Sequence, residues 1–197
     1  MQTKEQIKKT WNDIAKKYGS YHRKFAKELD NFLKEVDSNL LDLGAGDCAN
    51  TRIILERSIK LYAVDFSEEM LKNAPEKAIK ICSDVTKIPL KKKFKYITAI
   101  AVIHCLPTDE DRINFLKEVK RLLAPGGQAL ITSWDYPKKG HIHLLWGKIK
   151  RDYYFLSKSE LQELLEKVGI KKFTIERIKT SQGPLKPCYN FFIKIIG

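Results

Sequence analysis

The chain runs to 197 residues, 43% hydrophobic and 31% charged, with 37 Lys and Arg against 24 Asp and Glu for a net charge of +13. That length suffices for one domain with a buried core; the polar first ten residues carry no secretory pattern, and the best apolar stretch, Ile97 to Leu106, is too short to span a bilayer, so a cytoplasmic protein with no membrane partner is expected. A basic excess of this size points either to a polyanionic partner or to the background composition of a lysine-rich or hot-growing source.

Residues 3–18 repeat apolar positions at helical spacing, with Ile7, Trp11, Ile14, Ala15 and Tyr18 sharing a face. A second helix is predicted from Tyr21 to Val36, burying Phe25, Leu29, Phe32, Leu33 and Val36. The stretch NLLDLGAGDCANT, Asn39 to Thr51, then organises the chain. Leu40, Leu41 and Leu43 make a short apolar run around one acid, the pattern of a buried strand. Gly44-Ala45-Gly46 follows at once, where small residues let the backbone turn tightly and approach a ligand. Thr51 to Glu56 reads as a helix, so the glycines sit at a strand-to-helix turn with free N–H groups and the positive end of a dipole.

Leu61 to Val64 is a second apolar strand, and it ends on Asp65, 19 residues after Gly46. An acid about twenty residues beyond such a turn is placed to accept hydrogen bonds from ribose hydroxyls. The two features together predict a nucleoside-bearing cofactor in a doubly wound α/β domain. Gly44-x-Gly46-x-x-Ala49 also fits the dinucleotide pattern, so spacing alone leaves a nicotinamide cofactor open.

Beyond Asp65, Ser67 is an N-cap with Glu68 and Glu69 in the first turn, and Pro75 ends that helix. Ala78 to Cys82 is a third strand. Lys91-Lys92-Lys93 precedes the fourth strand, Tyr96 to Val102, and so falls at the amino edge of the sheet, away from the carboxyl edge where ligands bind. Pro107 and Thr108 open a helix through Leu123, stopped by Ala124-Pro125-Gly126-Gly127, and Gln128 to Trp134 is the fifth strand. Tyr136 to Phe155 reads as an irregular insertion, with His141 and His143 as surface residues. Ser157-x-x-Glu160 is a capping box opening a helix that Gly169 stops. Lys171 to Ile178 and Tyr189 to Ile196 are two strands joined through Gly183-Pro184. Cys48, Cys82, Cys105 and Cys188 are widely spaced with no C-x-x-C pair, so neither zinc nor a disulfide framework is expected.

Asp42-Leu43-Gly44-Ala45-Gly46, the PGG turn before an apolar strand and the closing hairpin together resemble the class I methyltransferases that use S-adenosylmethionine (SAM) and release S-adenosylhomocysteine. The resemblance implies a Rossmann-like three-layer α/β sandwich, with a mostly parallel seven-stranded sheet and a C-terminal antiparallel hairpin. It implies one domain over 1–197, with a helical cap over 1–37 and a catalytic core over 38–197. In that family the acid corresponding to Asp42 orders the loop and the amino acid end of the cofactor. An acid at Asp84, with the backbone of Val85, reads adenine, and Phe66 and Ala101 complete the cofactor set with Gly44, Ala45, Gly46 and Asp65. The two N-terminal helices cover the cofactor mouth, which brings Tyr18 to the ligand. Where the family has a third glycine, this chain has Cys48.

The stretch AVIHCLPTDEDRINFLKEVKRLLAPGGQALITSW, residues 101–134, is similar to the tRNA methyltransferases that esterify a carboxymethyl group on the wobble uridine. His104 matches the first histidine of that family's pair and Cys105 replaces the second. Trp134 matches its tryptophan, while Asp135 stands where alanine is common. The segment WNDIAKKYGSYHR resembles the family's amino-terminal motif, whose arginine falls on either His22 or Arg23. The resemblance implies a tRNA substrate and a small zinc-bearing activator subunit; the alternatives are a small-molecule methyltransferase of the same fold and a SAM-binding protein without catalysis.

Methyl transfer from a sulfonium is an in-line displacement, so alignment is the main task. A carboxylate acceptor needs no base, and His104 would then orient it as a hydrogen-bond donor. A hydroxyl, amine or carbon acid would make His104 the base. Basic residues gather beyond the fifth strand at Lys138, Lys139, Lys148, Lys150 and Arg151, and in the last hairpin at Lys179 and Lys186. Tyr136, Trp146, Tyr153 and Tyr154 lie among the first group, a mixture suited to a single-stranded loop of RNA. Arg23, Trp134, Lys138 and Lys139 are the substrate-binding candidates.

Overall fold

The computed structural model describes residues 2–16, 26–180 and 187–197. Tyr18, His22, Arg23, Gly183-Pro184 and Lys186 lie outside the described residues. A seven-stranded sheet forms the centre, ordered β3-β2-β1-β4-β5-β9-β8. Its members are β1 (Leu40–Leu43), β2 (Leu61–Asp65), β3 (Ile79–Cys82), β4 (Phe94–Ile100), β5 (Leu123–Asp135), β8 (Phe173–Thr180) and β9 (Cys188–Ile196). The first five run parallel, and β9 lies antiparallel between β5 and β8.

Both faces are covered. Leu41, Leu43, Ile97, Ala99, Ala129 and Ile131 pack toward α4 (Asp109–Leu122) and α5 (Lys158–Lys167). Their neighbours Leu40, Tyr96 and Leu130 pack the other way, with Leu29, Phe32 and Leu33 of α2 (Lys27–Glu35) and Leu71 of α3 (Glu68–Lys72). Alternation along each strand thus feeds two apolar layers, the arrangement of a parallel sheet between helices. The order reverses at β1, whose neighbours are β2 and β4. The crevice beyond the carboxyl ends at such a reversal is where ligands bind.

Helix α1 (Lys4–Ala15) opens on a capping box between Thr3 and Gln6 and lies outside the sheet. Ser67 Oγ donates to Asn12 Oδ1 (2.6 Å) and Asn73 Nδ2 to the Ala15 carbonyl (3.2 Å), which fixes α1 against α3. At its other end the Gln2 N–H donates to Asp152 (3.1 Å).

Four local expectations are corrected. The helix read at Thr51 to Glu56 is a 3-10 helix, Arg52–Arg57, closing on Ser58 at φ 57°. The chain has only a short span there before β2, and Arg57 is held by the Leu33 and Val36 carbonyls at the end of α2. Strand β4 stops at Ile100, two residues earlier than read, because Ala101 turns to φ 61°. The PGG segment lies within β5 as an irregularity, where pairing jumps from Phe94–Leu123 to Tyr96–Gln128. A Cβ on Gly127 would come within 2.8 Å of the Lys95 carbonyl, so the bulge demands glycine. Finally, the insertion is a regular hairpin, β6 (Gly140–Trp146) and β7 (Ile149–Phe155), joined by Gly147-Lys148 with Gly147 at φ 59°.

Lys91 to Lys93 sit at the amino end of β4, as read. Lys93 donates to the carbonyls of Arg121 (3.1 Å) and Leu123 (3.2 Å), and Lys92 rests 3.5 Å from the Tyr62 ring centre.

Candidate active site

A cavity of about 330 Å³ opens at the carboxyl ends of β1 and β4. Its floor is the turn after β1. Gly44 and Gly46 take φ of 64° and 57°, and a Cβ on Gly44 would strike Val102 at 2.5 Å. Cys48, in place of a third glycine, holds the same left-handed conformation at φ 60° and is fully buried. The loop therefore keeps the shape a glycine would give it, at a cost of about 1–2 kcal/mol in backbone strain.

Two buried acids hold this loop. Asp42 accepts from the hydroxyls of Thr51 (2.7 Å) and Thr98 (2.8 Å). It does not line the cavity; it joins β1, β4 and the end of the glycine loop. Burial pushes its carboxyl up to about 7 against the relief given by the two threonines. Asp65 does line the cavity. It accepts from the Gly46 N–H and the Ser67 N–H, both at 2.8 Å, and burial raises it to about 6. A carboxylate offers about four lone-pair sites, so after these two bonds Asp65 keeps acceptor capacity for a ligand hydroxyl.

Phe66, Val85 and Ala101 also line the cavity, as do Gly44, Ala45 and Gly46. Asp84 lines it too, but its oxygens are engaged: Lys4 Nζ reaches one at 2.9 Å and the Thr86 N–H the other at 2.8 Å. Lys4 also pairs with Asp111, so α1 is tied across the cavity. Ile7 and Trp11 of α1 complete that wall.

His104 also lines the cavity, on a 3-10 turn, Ile103–Cys105, that follows β4. The ring is fully buried, stacked on Trp134 with centres 4.8 Å apart and an angle of 28°. Its Nδ1 accepts the Trp134 backbone N–H at 3.2 Å. A neutral imidazole carries one proton, so the accepting Nδ1 leaves that proton on Nε2. Nε2 is buried and has no partner among the described residues. Burial, helped by the charge of Arg151, pushes the imidazole down to about 3.

Trp134 lines the cavity beside His104, while Lys138 and Lys139 do not. Lys139 turns back to Asp135 and the Tyr136 carbonyl, and Asp135 also takes Arg177 at 2.6 Å. His141 and His143 are exposed, His143 bonded to Asp152. The sequence reading missed Lys4, Ile7 and Trp11 as cavity walls, and it placed Arg151 and Tyr153 in an irregular insertion. Both line the cavity, because Arg151, Tyr153 and Phe155 share one face of β7 and Tyr153 and Phe155 pack against His104. The two-residue Gly147-Lys148 turn between the strands was the signal for that hairpin.

The donor set suits an adenosyl cofactor with an amino acid tail: a glycine cradle, a cavity-lining carboxylate at Asp65 and a buried Asn50 Oδ1 with no partner among the described residues. Residues 41–131 match a family model described as a methyltransferase domain. A demethylmenaquinone methyltransferase of Tropheryma whipplei is 28% identical over 103 residues, 51% of this chain and 43% of that protein. The mouse tRNA (carboxymethyluridine(34)-5-O)-methyltransferase ALKBH8 is 28% identical over 131 residues, 65% of this chain and 20% of that protein. The chain thus spans less than half the length of either relative. Among solved structures, the glycopeptide N-methyltransferase MtfA in complex with SAM superposes with a TM-score of 0.66 at 15% identity, over 86% of this chain and 93% of that one.

Proposed function

We propose that this chain, which has the class I methyltransferase fold and carries a SAM-dependent methyltransferase domain, methylates the carboxylate of a carboxymethyl group on the wobble uridine of tRNA. The observation that carries the reading is the hydrogen bonding of the buried His104 ring. Its Nδ1 is taken by the Trp134 N–H, its Nε2 bears the proton, and burial keeps the ring neutral. That imidazole is a hydrogen-bond donor at the acceptor end of the cavity, and a carboxylate acceptor needs no base.

The glycine turn and Asp65 would hold SAM, which would supply a methyl group activated on a sulfonium. An acceptor carboxylate oxygen would form the new C–O bond as the sulfonium C–S bond breaks, giving a methyl ester and S-adenosylhomocysteine without proton transfer. His104 orients the carboxylate through its other oxygen. Trp134 and Tyr153, with Phe155 packed behind them, give the reacting end an aromatic wall suited to excluding water. A tRNA acceptor is supported by the mouse tRNA-modifying relative and by exposed Lys138, Lys148 and Lys150 around the hairpin.

The demethylmenaquinone relative, together with the apolar wall of Ile7, Trp11 and Met70, favours a small apolar acceptor as the second reading. The test is transfer of labelled methyl from SAM to bulk tRNA, with and without a co-expressed partner subunit. Label that mild alkali releases as methanol is the expected result, because an ester hydrolyses and a carbon- or nitrogen-bound methyl does not. Alkali-stable label, or none on tRNA and some on a quinol precursor, would overturn the tRNA carboxylate reading. SAM binding without transfer to either would leave a SAM-binding protein.

A further inference from the structure

Arg151 stands out among the cavity residues because its charge is unpaired among the described residues. Among the described residues no carboxylate forms an ion pair with its guanidinium, and its buried Nε has no hydrogen-bond partner. Its contact with the Tyr153 ring, 5.4 Å from the ring centre, is at the long end of a cation–π interaction. A buried donor without an acceptor costs stability unless a ligand supplies one.

Strand geometry sets where that donor points. Residues two apart lie on one face of a strand, so Arg151 continues the row that Tyr153 and Phe155 form against His104. That places a second unpartnered N–H in the same cavity as His104 Nε2. Both groups are donors only. The Arg151 charge also opposes protonation of the imidazole.

We propose that Arg151 and His104 form a receptor for the anionic group of the methyl acceptor, with Arg151 supplying the charge and His104 the neutral donor. The receptor is carried by the β6–β7 hairpin and the turn after β4, elements separate from the glycine loop and Asp65 that hold the cofactor. It selects carboxylate acceptors over their uncharged amides. The proposal deepens the carboxylate reading above and rests on it, but does not require that the carboxylate belong to tRNA.

The test is binding of acetate, against acetamide, to the protein saturated with S-adenosylhomocysteine, followed by fluorescence of the cavity tryptophans Trp11 and Trp134. Saturation fills the site of the cofactor's own carboxylate. Acetate should bind and acetamide should not, and Arg151→Gln should weaken acetate about 10- to 100-fold, the loss expected for one charge-assisted hydrogen bond. Arg151→Lys, which keeps charge and bulk, should fall between the two. Calorimetric affinity for S-adenosylhomocysteine should be unchanged in both variants, which also reports that they are folded.

Acetate binding unaltered by Arg151→Gln, or no acetate binding by the wild type, would overturn the proposal. So would an equal loss of S-adenosylhomocysteine affinity, which would assign Arg151 to the cofactor carboxylate. Inorganic phosphate binding more tightly than acetate would make Arg151 a contact for a nucleic acid backbone and overturn it as well. Failure of methyl transfer to tRNA with the acetate results intact would remove only the tRNA reading.

Discussion

The Trp134 backbone N–H donates to His104 Nδ1 across 3.2 Å while the two rings stack 4.8 Å apart. One strand thus fixes both the plane of the imidazole and the nitrogen that bears its proton. ¹⁵N NMR of the histidine ring should show the Nε2-protonated neutral form throughout the neutral range. Because burial depresses this group to about 3 from its ordinary 6.5, its contribution to stability is complete above pH 6.5 and is lost as pH falls toward 3. Methyl transfer should show no acid limb near pH 6.5. His104→Asn, which keeps an N–H donor, should lower kcat by about 10-fold, against the 10²–10⁴-fold expected on loss of a base. An acid limb near 6.5 that disappeared in the Asn variant would contradict the donor assignment.

Asp65 ties the glycine loop to the end of β2 and faces the cavity. Asp65→Ala should weaken SAM by about 1.5–3 kcal/mol for each hydrogen bond to the charged group that it removes, and loosen the loop by deleting the acceptor of the Gly46 N–H. Isothermal calorimetry with SAM, and with NADH as the competing cofactor, measures this. Unchanged SAM affinity would remove Asp65 from the cofactor site, and tight NADH binding without SAM binding would refute the cofactor assignment altogether.

Asp42 gives a pH signature of opposite sign. Its folded carboxyl sits at about 7 against an ordinary 3.8, so the folded state binds the proton more tightly than the unfolded chain. The stability it contributes is complete below about pH 4 and is lost as pH rises through about 7. Asp42→Asn removes that dependence, since the amide accepts from one threonine and donates to the other. Urea unfolding should find the variant equal to wild type near pH 4 and more stable by on the order of 2–4 kcal/mol at pH 8. A constant difference across that range would show that Asp42 does not titrate there.

The exposed lysines test the RNA reading apart from the chemistry. Replacing Lys138, Lys148 and Lys150 together by Gln should weaken tRNA binding and reduce the slope of log K against log salt by about 0.7–0.9 for each phosphate no longer neutralised. SAM affinity should not move. Lys139 is left out because its ammonium is already paired with Asp135. Wild-type binding to tRNA no tighter than that of a neutral control protein would reduce the +13 charge to background composition.

What the sequence by itself determined were features that a few neighbouring residues impose on their own backbone. Leu40 to Gly46 specified a buried strand and a turn only small residues can make. Asp65 followed at the spacing of a ribose acceptor, and Ser157 with Glu160 specified a helix start that the structure reproduces as a reciprocal cap. These are local demands of dihedral angle and hydrogen bonding, met within a span of a few residues. The tertiary structure decided which distant groups satisfy one another. That Lys4 occupies Asp84, that Arg151 faces the cavity rather than solvent, and that Trp134 sets the tautomer of His104 all depend on contacts 30 to 80 residues apart in the chain. Periodicity says that a residue will be buried but not what will lie against it. A donor or a base is the same histidine until a strand from elsewhere supplies the N–H that settles which nitrogen is protonated.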